Sequence, residues 1–406
     1  MNSSDATDVV ILGGGLAGLM AAIRLLRDGK KVILVDNSLP EAGGELGGFA
    51  KFSGAKFSLP PAGMGLAALV GSTDLLYQKI DEVIEVLGIG HLDRHFSLDR
   101  SAQEEIQLGL DTELRSYSSI VLTPSQVDDL IERLTTLISG NCKLIRGKAK
   151  QLSLEKDAWT VTIQEQASER TLQVSAKSVF YAAGRLESDI LLNAGANQYP
   201  GKGIDIGFRV EFMQRESVKR LRDLGPDAKI MHGNCRTFCL NSPGEIYYYK
   251  FGNINIPGGV VADENTKTAN VGMLSRIREK ELGSKSIIEN FAKIQNSLDI
   301  KLQNGLPDIF SHASLSTLLG DKVTTELQDF VTILGQLKLI NWKLPYRIHF
   351  PLVDWYWGTY CNTASHKTSL AGIYALGDSS GHARGLLQAA LSGWIASEEY
   401  LNDVTN

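Results

Sequence analysis

Three glycines and one acid near the start of the chain have the spacing of a nucleotide site. Gly13, Gly15 and Gly18 directly follow the apolar residues 9–12, and Asp36 closes a second apolar run. The first glycine would permit a tight turn, the second a close approach to a pyrophosphate, and the third close packing of helix on strand. A carboxylate after the second strand can accept hydrogen bonds from an adenosine ribose. This order predicts a dinucleotide site; the alternative is a glycine-rich turn in an unrelated βαβ unit.

The segments around these residues must position that site. A helix over residues 19–26 would begin at the glycine turn, so its free N–H groups and positive dipole end would face the phosphates. The glycine-dense residues 43–61 indicate irregular backbone that passes close to a bulky group. Within them, Lys56 could neutralise a pyrophosphate or could be a plain exposed lysine. Expected cofactor contacts in this part of the chain are Gly13, Gly15, Leu16, Ala17, Gly18, Asp36, Asn37, Gly48 and Lys56.

A second glycine–acid signature lies near the other end of the chain. Residues 372–376 indicate a strand, Gly377 and Asp378 follow it, and a small-residue helix begins near Gly385. Residues 178–184 indicate a further buried strand that ends at glycine. Since no second Gly-x-Gly-x-x-Gly follows a strand, we expect one bound FAD rather than a diffusing nicotinamide nucleotide. Expected cofactor contacts here are Ala183, Gly184, Gly377, Asp378, Arg384, Gly385 and Leu386.

The order of elements predicts that both ends of the chain build one domain. Four strand-like runs indicate a small antiparallel crossover sheet, at residues 143–145, 151–154, 159–163 and 171–174. We predict an α/β fold, in which a Rossmann-type FAD-binding domain with a parallel sheet and an antiparallel crossover carries an inserted β-rich α+β substrate domain. The predicted ranges are 1–60, 116–185 and 366–406 for the FAD-binding domain, and 61–115 and 186–365 for the substrate or cap domain.

Helix signals support this division. Thr123, Pro124 and Gln126 have the arrangement of a capping box with proline at the first helical position. Apolar residues three and four apart predict further helices, at residues 75–87, 287–298 and 315–339.

Composition favours a two-domain globular protein. The 406 residues exceed one ordinary core, and 43% of them are apolar. A net charge of −5 argues against general nucleic-acid binding. No apolar run reaches the roughly 18 residues of a membrane span, and the first residues lack a secretory pattern, so we expect a cytoplasmic protein. The four cysteines lack Cys-x-x-Cys, and no cluster has metal-ligand spacing, so reduced thiols and no metal are expected.

Several blocks of the chain resemble the FAD-dependent oxidoreductases of the glutathione-reductase-like superfamily, and are most like a bacterial family of uncharacterised FAD-dependent dehydrogenases. The blocks 205–211 and 236–239 are the more specific ones. That family usually has Asp-Gly-Lys where this chain has Gly54-Ala55-Lys56, a departure that concerns the substrate rather than the cofactor. The remaining blocks are residues 13–18, 47–56, 181–184 and 377–393.

The resemblance implies roles for the second signature. Asp378 would bond the ribityl chain or the pyrophosphate of FAD. The helix that begins near Arg384, Gly385 and Leu386 would aim N–H groups at flavin N1 and O2, where a helix N-terminus stabilises the negative charge of reduced flavin. The flavin would perform the redox step, and the protein would place a substrate near flavin N5.

Four residues are candidates for catalysis beside the flavin. Arg209 and Glu211 alternate with Val210, so they share one face of a predicted strand. They could bind a substrate carboxylate and relay a proton, or form only an ion pair at the sheet edge. His349 and His382 could handle a proton, although such histidines are more often structural.

Two aromatic runs, residues 247–251 and 346–357, could wall a flat substrate pocket or pack as the core of a β domain. The sequence predicts an FAD-dependent oxidoreductase with a small-molecule substrate, and NAD(P)H or a protein could be the electron donor. One alternative is a flavin monooxygenase or halogenase, although Trp355-Tyr356-Trp357 continues as Gly358 and departs from the halogenase pattern Trp-x-Trp-x-Ile. Another is an FAD-bearing subunit of a larger assembly, with a structural or sensing flavin.

Overall fold

The computed structural model describes most of the chain. The described residues are 7–37, 46–95, 105–166, 168, 170–184, 189–199, 203–251, 254–278, 310, 316, 319–356, 358–361 and 364–405. The helix predicted at residues 287–298 lies outside them. Across these ranges, no helix is both long enough and apolar enough to cross a membrane.

Strands and helices interleave along the described chain. The strands are β1 (Thr7–Leu12), β2 (Val32–Asp36), β3 (Lys56–Ser58), β4 (Arg94–His95), β5 (Glu105–Gly109), β6 (Thr112–Arg115), β7 (Ser119–Val121), β8 (Cys142–Glu155), β9 (Ala158–Glu165), β10 (Thr171–Tyr181), β11 (Gly203–Phe212), β12 (Lys229–His232), β13 (Cys235–Asn241), β14 (Gly244–Phe251), β15 (Ile254–Val261), β16 (Ala269–Ile277), β17 (Tyr346–Tyr356) and β18 (Ile373–Ala375). The helices are α1 (Leu16–Arg27), α2 (Ala67–Val70), α3 (Thr73–Leu87), α4 (Pro124–Ile138), α5 (Asp189–Asn193), α6 (Lys219–Asp223), α7 (Asp321–Gln336) and α8 (Leu386–Thr405).

The first sheet joins parallel strands from both ends of the chain. Its parallel order is β8, β2, β1, β10, β18, and β9 pairs antiparallel with β8 and β10. Leu12 pairs with Tyr181, and Tyr181 pairs with Ala375, so three strands end at one level. The predicted α/β fold, with a parallel sheet and an antiparallel crossover, is confirmed.

Two crossover strands are longer than the sequence predicts. The runs at 143–145 and 151–154 form the single strand β8, whose register shifts between Ala149 and Gln151. Such a bulge bends a strand. Residues 142–146 of β8 pair with β2, and residues 147–155, which include the bulge, pair with β9. Likewise, β10 contains both the run at 171–174 and the start of the run at 178–184.

Helices α1, α3, α4 and α8 share one apolar core beside this sheet. Glycines allow the closest contacts, since a Cβ on Gly393 of α8 would lie 2.0 Å from the carbonyl oxygen of Ala17 in α1. The predicted capping box is confirmed, because the Thr123 and Gln126 side chains bond each other's backbone N–H. Helix α3 joins this core although it lies in the range 61–115, and the domain boundaries stay a prediction.

The second sheet is antiparallel, in the order β17, β11, β16, β13, β12, β6, β5. Helix α7 packs on one face, where Phe208 of β11 and Phe330 of α7 belong to one buried core. Because side chains alternate along a strand, Asp205, Arg209 and Glu211 of β11 lie on the opposite face. The hairpin β14–β15 contacts β13, β16 and β17, and strands β3, β7 and β4 form a separate small sheet.

Candidate functional site

A cleft lies at the carboxyl ends of β1, β2, β10 and β18. Its volume is about 760 Å³, within the roughly 300–1,000 Å³ of small-molecule sites. Segments from both ends of the described chain line it, together with the crossover strand β8 and the hairpin β14–β15. Ligands bind at this edge in open α/β sheets, so the position suits a nucleotide cofactor.

The glycine turn leaves room in the cleft that no described protein atom fills. A Cβ on Gly15 would meet nothing within 4 Å, whereas a Cβ on Gly13 would lie 2.5 Å from the Ala182 carbonyl oxygen. Gly15 has an ordinary φ of −70°, and no side chain caps α1 there. The first N–H groups of α1 therefore face the cleft at Leu16 and Ala17, as a pyrophosphate requires. Gly13 instead serves the turn itself, with φ +107°.

One end of the cleft is polar. Asp36 and Asn37 line it, and the buried Asp36 carboxylate accepts a hydrogen bond from the backbone N–H of Gly14. Sequence reasoning missed the other lining residues here, which come from β8 and α5: Gly147, Lys148, Ala149, Lys150, Asp189, Ile190 and Asn193. The predicted crossover was the available signal, because its first strand pairs with β2 and so must end near Asp36.

The C-terminal signature also lines the cleft. Of the seven residues that the sequence predicts there, six line it: Ala183, Gly184, Gly377, Asp378, Gly385 and Leu386. Gly377 and Gly385 have φ values of +62° and +115°, which favour glycine at these turns. Gly48 also lines the cleft, and a Cβ on it would lie 3.1 Å from the Cα of Gly15.

Four aromatic rings also line the cleft. Phe52 stacks on Tyr247 with ring centroids 4.3 Å apart, and Phe49 meets Tyr249 edge-on at 5.3 Å. These pairs join the segment after the glycine turn to the hairpin β14–β15. The first aromatic run thus reaches the cleft, but the second forms β17, where Tyr346 and Ile348 are buried in the core of the second sheet. Phe49 and Phe52 were not singled out from the sequence.

Three of the predicted cofactor contacts lie away from the cleft lining. Gly18 packs α1 on the first strand, since a Cβ on it would lie 1.9 Å from the Gly13 carbonyl oxygen. The Lys56 ammonium donates to the carbonyl oxygen of Leu240 in β13, and burial lowers its pKa. Arg384 donates to both carboxylate oxygens of Asp354, at 3.0 and 2.9 Å.

Arg209 is enclosed by hydrogen-bond acceptors. It is 1% exposed, and it donates to the carbonyl oxygens of Pro257 and Cys239 and to the side chain of Asn270, at 2.8–3.1 Å. Burial lowers its pKa. Arg209 does not pair with Glu211, so these two residues do not form the ion pair that the sequence analysis considered. Arg209 instead fastens the hairpin to the polar face of the second sheet.

Glu211 and His349 come together, a pairing that the sequence analysis does not predict. His349 Nε2 lies 3.0 Å from a Glu211 carboxylate oxygen, and His349 Nδ1 lies 2.5 Å from the Tyr248 hydroxyl. A carboxylate accepts only, so Nε2 carries the hydrogen and Nδ1 accepts from the hydroxyl. Burial, followed by the charge of Glu211, raises the pKa of Tyr248. Tyr248 is 49% exposed, and sequence reasoning did not single it out as an acid or base.

His382 lies beyond the cleft lining. Its Nε2 is 3.4 Å from the Ser365 carbonyl oxygen, and its ring meets that of His366 edge-on, with centroids 5.6 Å apart. It therefore contacts the segment before β18 rather than Glu211 or His349.

Comparison with known proteins supports the cofactor. Residues 8–60 match the family described as FAD binding domain. None of the curated proteins searched matches the chain.

Similar folds occur among solved structures at low identity. A geranylgeranyl bacteriochlorophyll reductase-like protein from Thermoplasma acidophilum is 12% identical, with a TM-score of 0.44, over 99% of this chain and 79% of that one. The p-nitrophenol 4-monooxygenase of Pseudomonas putida is 14% identical, with a TM-score of 0.44, over 98% and 79%. The flavin-dependent halogenase CmlS is 14% identical, with a TM-score of 0.46, over 98% of this chain and 57% of that one.

The family match, the glycine turn and the cleft agree on the cofactor. Residues 8–60 match the family of FAD-binding domains, and FAD is the cofactor. The open space beside Gly15 and the uncapped start of α1 fit the pyrophosphate of this cofactor.

Proposed function

We propose that this protein is a dehydrogenase or reductase that moves a hydride between flavin N5 and a small, planar and largely apolar organic substrate. The observation that carries the proposal is the cleft itself. It is lined by Asp36, by the glycine turn, by Asp378 and by four aromatic side chains, Phe49, Phe52, Tyr247 and Tyr249. A lining that combines polar, anion-binding and aromatic surfaces suits a dinucleotide whose reactive ring lies next to its substrate.

The residues that would hold FAD divide by chemistry. The Asp36 carboxylate would accept hydrogen bonds from the adenosine ribose, and the Asn37 amide would donate hydrogen bonds to it. The N–H groups of Leu16 and Ala17 would bind the pyrophosphate. Asp378 would accept from the ribityl chain. The start of α8 at Leu386 would face the flavin and stabilise negative charge on it. When bound, FAD supplies hydride transfer at N5.

The substrate would bind at the aromatic end. Phe49, Phe52, Tyr247 and Tyr249 present ring faces and edges there, and their exposed fractions of 37–48% for the first three leave them open to a ligand. Flat apolar molecules gain from such contacts about 0.5–1.5 kcal/mol for each aromatic pair beyond area burial. The phenol groups of the two tyrosines would supply the few polar contacts that orient a ligand.

Proton handling is proposed for Glu211, His349 and Tyr248. Their hydrogen bonds form one directed series, in which the hydroxyl donates to His349 and His349 donates to Glu211. If the phenol takes part as an acid or base, the imidazole can receive its proton and the carboxylate stabilises the charged ring. Tyr248 alternates with Tyr247 and Tyr249 along β14, so this series lies on the other face of the hairpin from the cleft. It would therefore exchange protons with the solvent on that face of the hairpin.

The finer kinship with the bacterial FAD-dependent dehydrogenases is also a proposal. Its support is that the two more specific sequence blocks meet in space. Arg236 of the second block donates to Asp205 of the first, at 3.0 and 2.6 Å. Residues that lie 31 positions apart thus form one buried ion pair, which would explain why both blocks occur together.

The test is anaerobic reduction of the purified flavoprotein. NADH, NADPH and dithionite are added in turn, and planar carbonyl or alkene compounds are then screened for reoxidation of the reduced flavin. Bleaching that reverses with such a compound supports the proposal. Reoxidation by oxygen through a C4a-peroxyflavin absorbance would indicate a monooxygenase instead. Asp378→Ala should lose FAD, and retention of FAD by this variant would contradict the site assignment.

A further inference from the structure

A buried series of polar side chains lies directly behind the Gly377 turn, which lines the cleft. His366 is 0% exposed and lies between Glu399 and Ser392 of α8. Its Nδ1 is 2.8 Å from a Glu399 carboxylate oxygen, and its Nε2 is 2.9 Å from the Ser392 hydroxyl. Ser392 Oγ in turn accepts from the backbone N–H of Gly377 at 2.9 Å. Neither Ser392 nor His366 lines the cleft.

The hydrogen bonds run in one direction. The Gly377 N–H donates to Ser392 Oγ, so the hydroxyl hydrogen is free to point elsewhere. Buried serines in helices commonly donate to the carbonyl four residues earlier, as Ser397 does to Gly393 at 2.8 Å. The described structure gives Ser392 no such bond, so its hydrogen goes to His366 Nε2. The ring hydrogen on Nδ1 is then donated to Glu399.

Glu399 also holds the backbone of the segment that carries His366. Its second carboxylate oxygen accepts from the His366 N–H at 2.9 Å and from the Ser365 hydroxyl at 3.0 Å. The imidazole is therefore fixed at both ring nitrogens and at its own backbone. A group so constrained can hold the Ser392 hydroxyl, and through it the Gly377 peptide, in one orientation.

The fixed peptide belongs to the wall of the cleft. Leu376, Gly377 and Asp378 all line it, and Gly377 has a φ of +62°. We propose that Glu399, His366 and Ser392 are positioning residues, which lock the Gly377 N–H away from the cleft and so present Asp378 to FAD in one geometry. The inference rests on FAD as the cofactor and not on the identity of the substrate.

The experiment compares two buried serines of the same helix. Ser392→Ala removes the hydroxyl behind Gly377. Ser397→Ala is the matched control, because Ser397 is also 0% exposed but bonds Gly393 and Ala21 instead. Dissociation constants for FAD are measured by fluorescence quenching on the apoproteins, and the flavin midpoint potential is measured on the reconstituted proteins. Thermal unfolding of both apoproteins separates a loss of fold from a loss of cofactor geometry.

We expect Ser392→Ala to weaken FAD binding about tenfold, the effect of one lost buried hydrogen bond, and to shift the midpoint potential. We expect Ser397→Ala to change the dissociation constant for FAD by less than twofold and to leave the midpoint potential unshifted. Equal FAD affinity in Ser392→Ala and the wild type overturns the inference, and so does equal weakening by both variants.

Glu399→Gln covers the case in which Ser392→Ala does not fold. Its side chain is 17% exposed, and glutamine keeps an acceptor for His366 while removing the charge. A twofold to threefold loss of FAD affinity supports the series, and an unchanged affinity overturns it. A wild-type protein that binds no FAD would overturn the cofactor assignment as well, whereas the two serine variants bear on the series alone.

Discussion

Asp354 on β17 accepts two hydrogen bonds from Arg384, which lies two residues before α8. The distances are 3.0 and 2.9 Å, and Asp354 is 2% exposed while the Arg384 side chain is 40% exposed. Arg236 also reaches Asp354 at 3.0 Å. One buried carboxylate therefore joins the second sheet to the segment that opens the flavin-side helix. The sequence assigned Arg384 to the cofactor, and the structure directs its guanidinium to this carboxylate.

This relationship predicts unequal effects of two substitutions. Asp354→Asn should lower the free energy of unfolding by about 3 kcal/mol, because it leaves two guanidinium groups facing a neutral amide in a buried place. Arg384→Gln should cost about 1 kcal/mol, because Arg236 still partners the carboxylate and Arg384 is partly exposed. Urea unfolding of the two variants checks both values. Lys219→Gln, in an exposed pair with Asp223, is the control and should change nothing measurable.

Gly15 and Gly13 should separate binding from folding. Gly15→Ala places a methyl group in open cleft at an ordinary φ of −70°, so the apoprotein should unfold at nearly the same temperature while FAD affinity falls at least tenfold. Gly13→Ala should lower the unfolding temperature itself, because its φ is +107° and its Cβ would lie 2.5 Å from the Ala182 carbonyl oxygen. Calorimetry of the apoproteins and FAD titration measure the two effects. Normal FAD binding by Gly15→Ala would contradict the pyrophosphate assignment.

The stacked pair of Phe52 and Tyr247 should matter for substrates more than for the fold. Phe52→Ala removes one ring of a pair whose centroids are 4.3 Å apart. It should weaken the binding of planar aromatic probes, seen as perturbation of the flavin spectrum, by about tenfold at most. FAD affinity should change little. Leu154→Ala, at an exposed position away from the cleft, provides the comparison. Equal probe binding by both variants would argue against an aromatic substrate wall.

Glu399 predicts a dependence of stability on pH. Burial alone would raise its pKa, but hydrogen bonds from His366 and Ser365 outweigh burial and hold the pKa below the ordinary 4.5. A carboxyl group with a lowered pKa contributes stability that is fully present above its unfolded pKa and is lost as the pH falls through its folded pKa. The wild type should therefore exceed Glu399→Gln in stability by a constant amount at neutral pH, and the difference should shrink below pH 4.5. Denaturant unfolding from pH 7 to pH 3 measures it, and a difference that grows on acidification would reverse the assigned sign.

The fold could be predicted largely because its signals are local. A glycine turn after a strand, an acid after the next strand and a Gly-Asp turn near the other end each follow from neighbouring residues. The α/β class with its crossover sheet followed from these signals and is confirmed. The continuity of β8 could not be seen, because its residues 142–146 pair with β2 whereas its residues 147–155 pair with β9. Pairing partners are properties of the tertiary structure rather than of the segment.

The candidate site was predictable where backbone chemistry decides it. Glycines and small residues at turns indicate where the backbone must pass close to a ligand. Long polar side chains gave no such signal, since Lys56 and Arg384 reach acceptors that lie 184 and 30 positions away along the chain. The hydrogen bond from the Gly377 N–H to Ser392 Oγ could not be predicted from the sequence for the same reason. Spacing in sequence reports which residues share a face, but not which distant acceptor a flexible side chain will choose.

The close contact of Gly393 with Ala17 has a consequence for biosynthesis. Strand β18 and helix α8 leave the ribosome after every other described element, yet they form one wall of the cleft and pack on the first helix. A nascent chain can build β1, α1 and β2 early, but it cannot enclose the cofactor until α8 has emerged. We therefore expect flavin loading to follow the emergence of α8, which packs on the early βαβ unit.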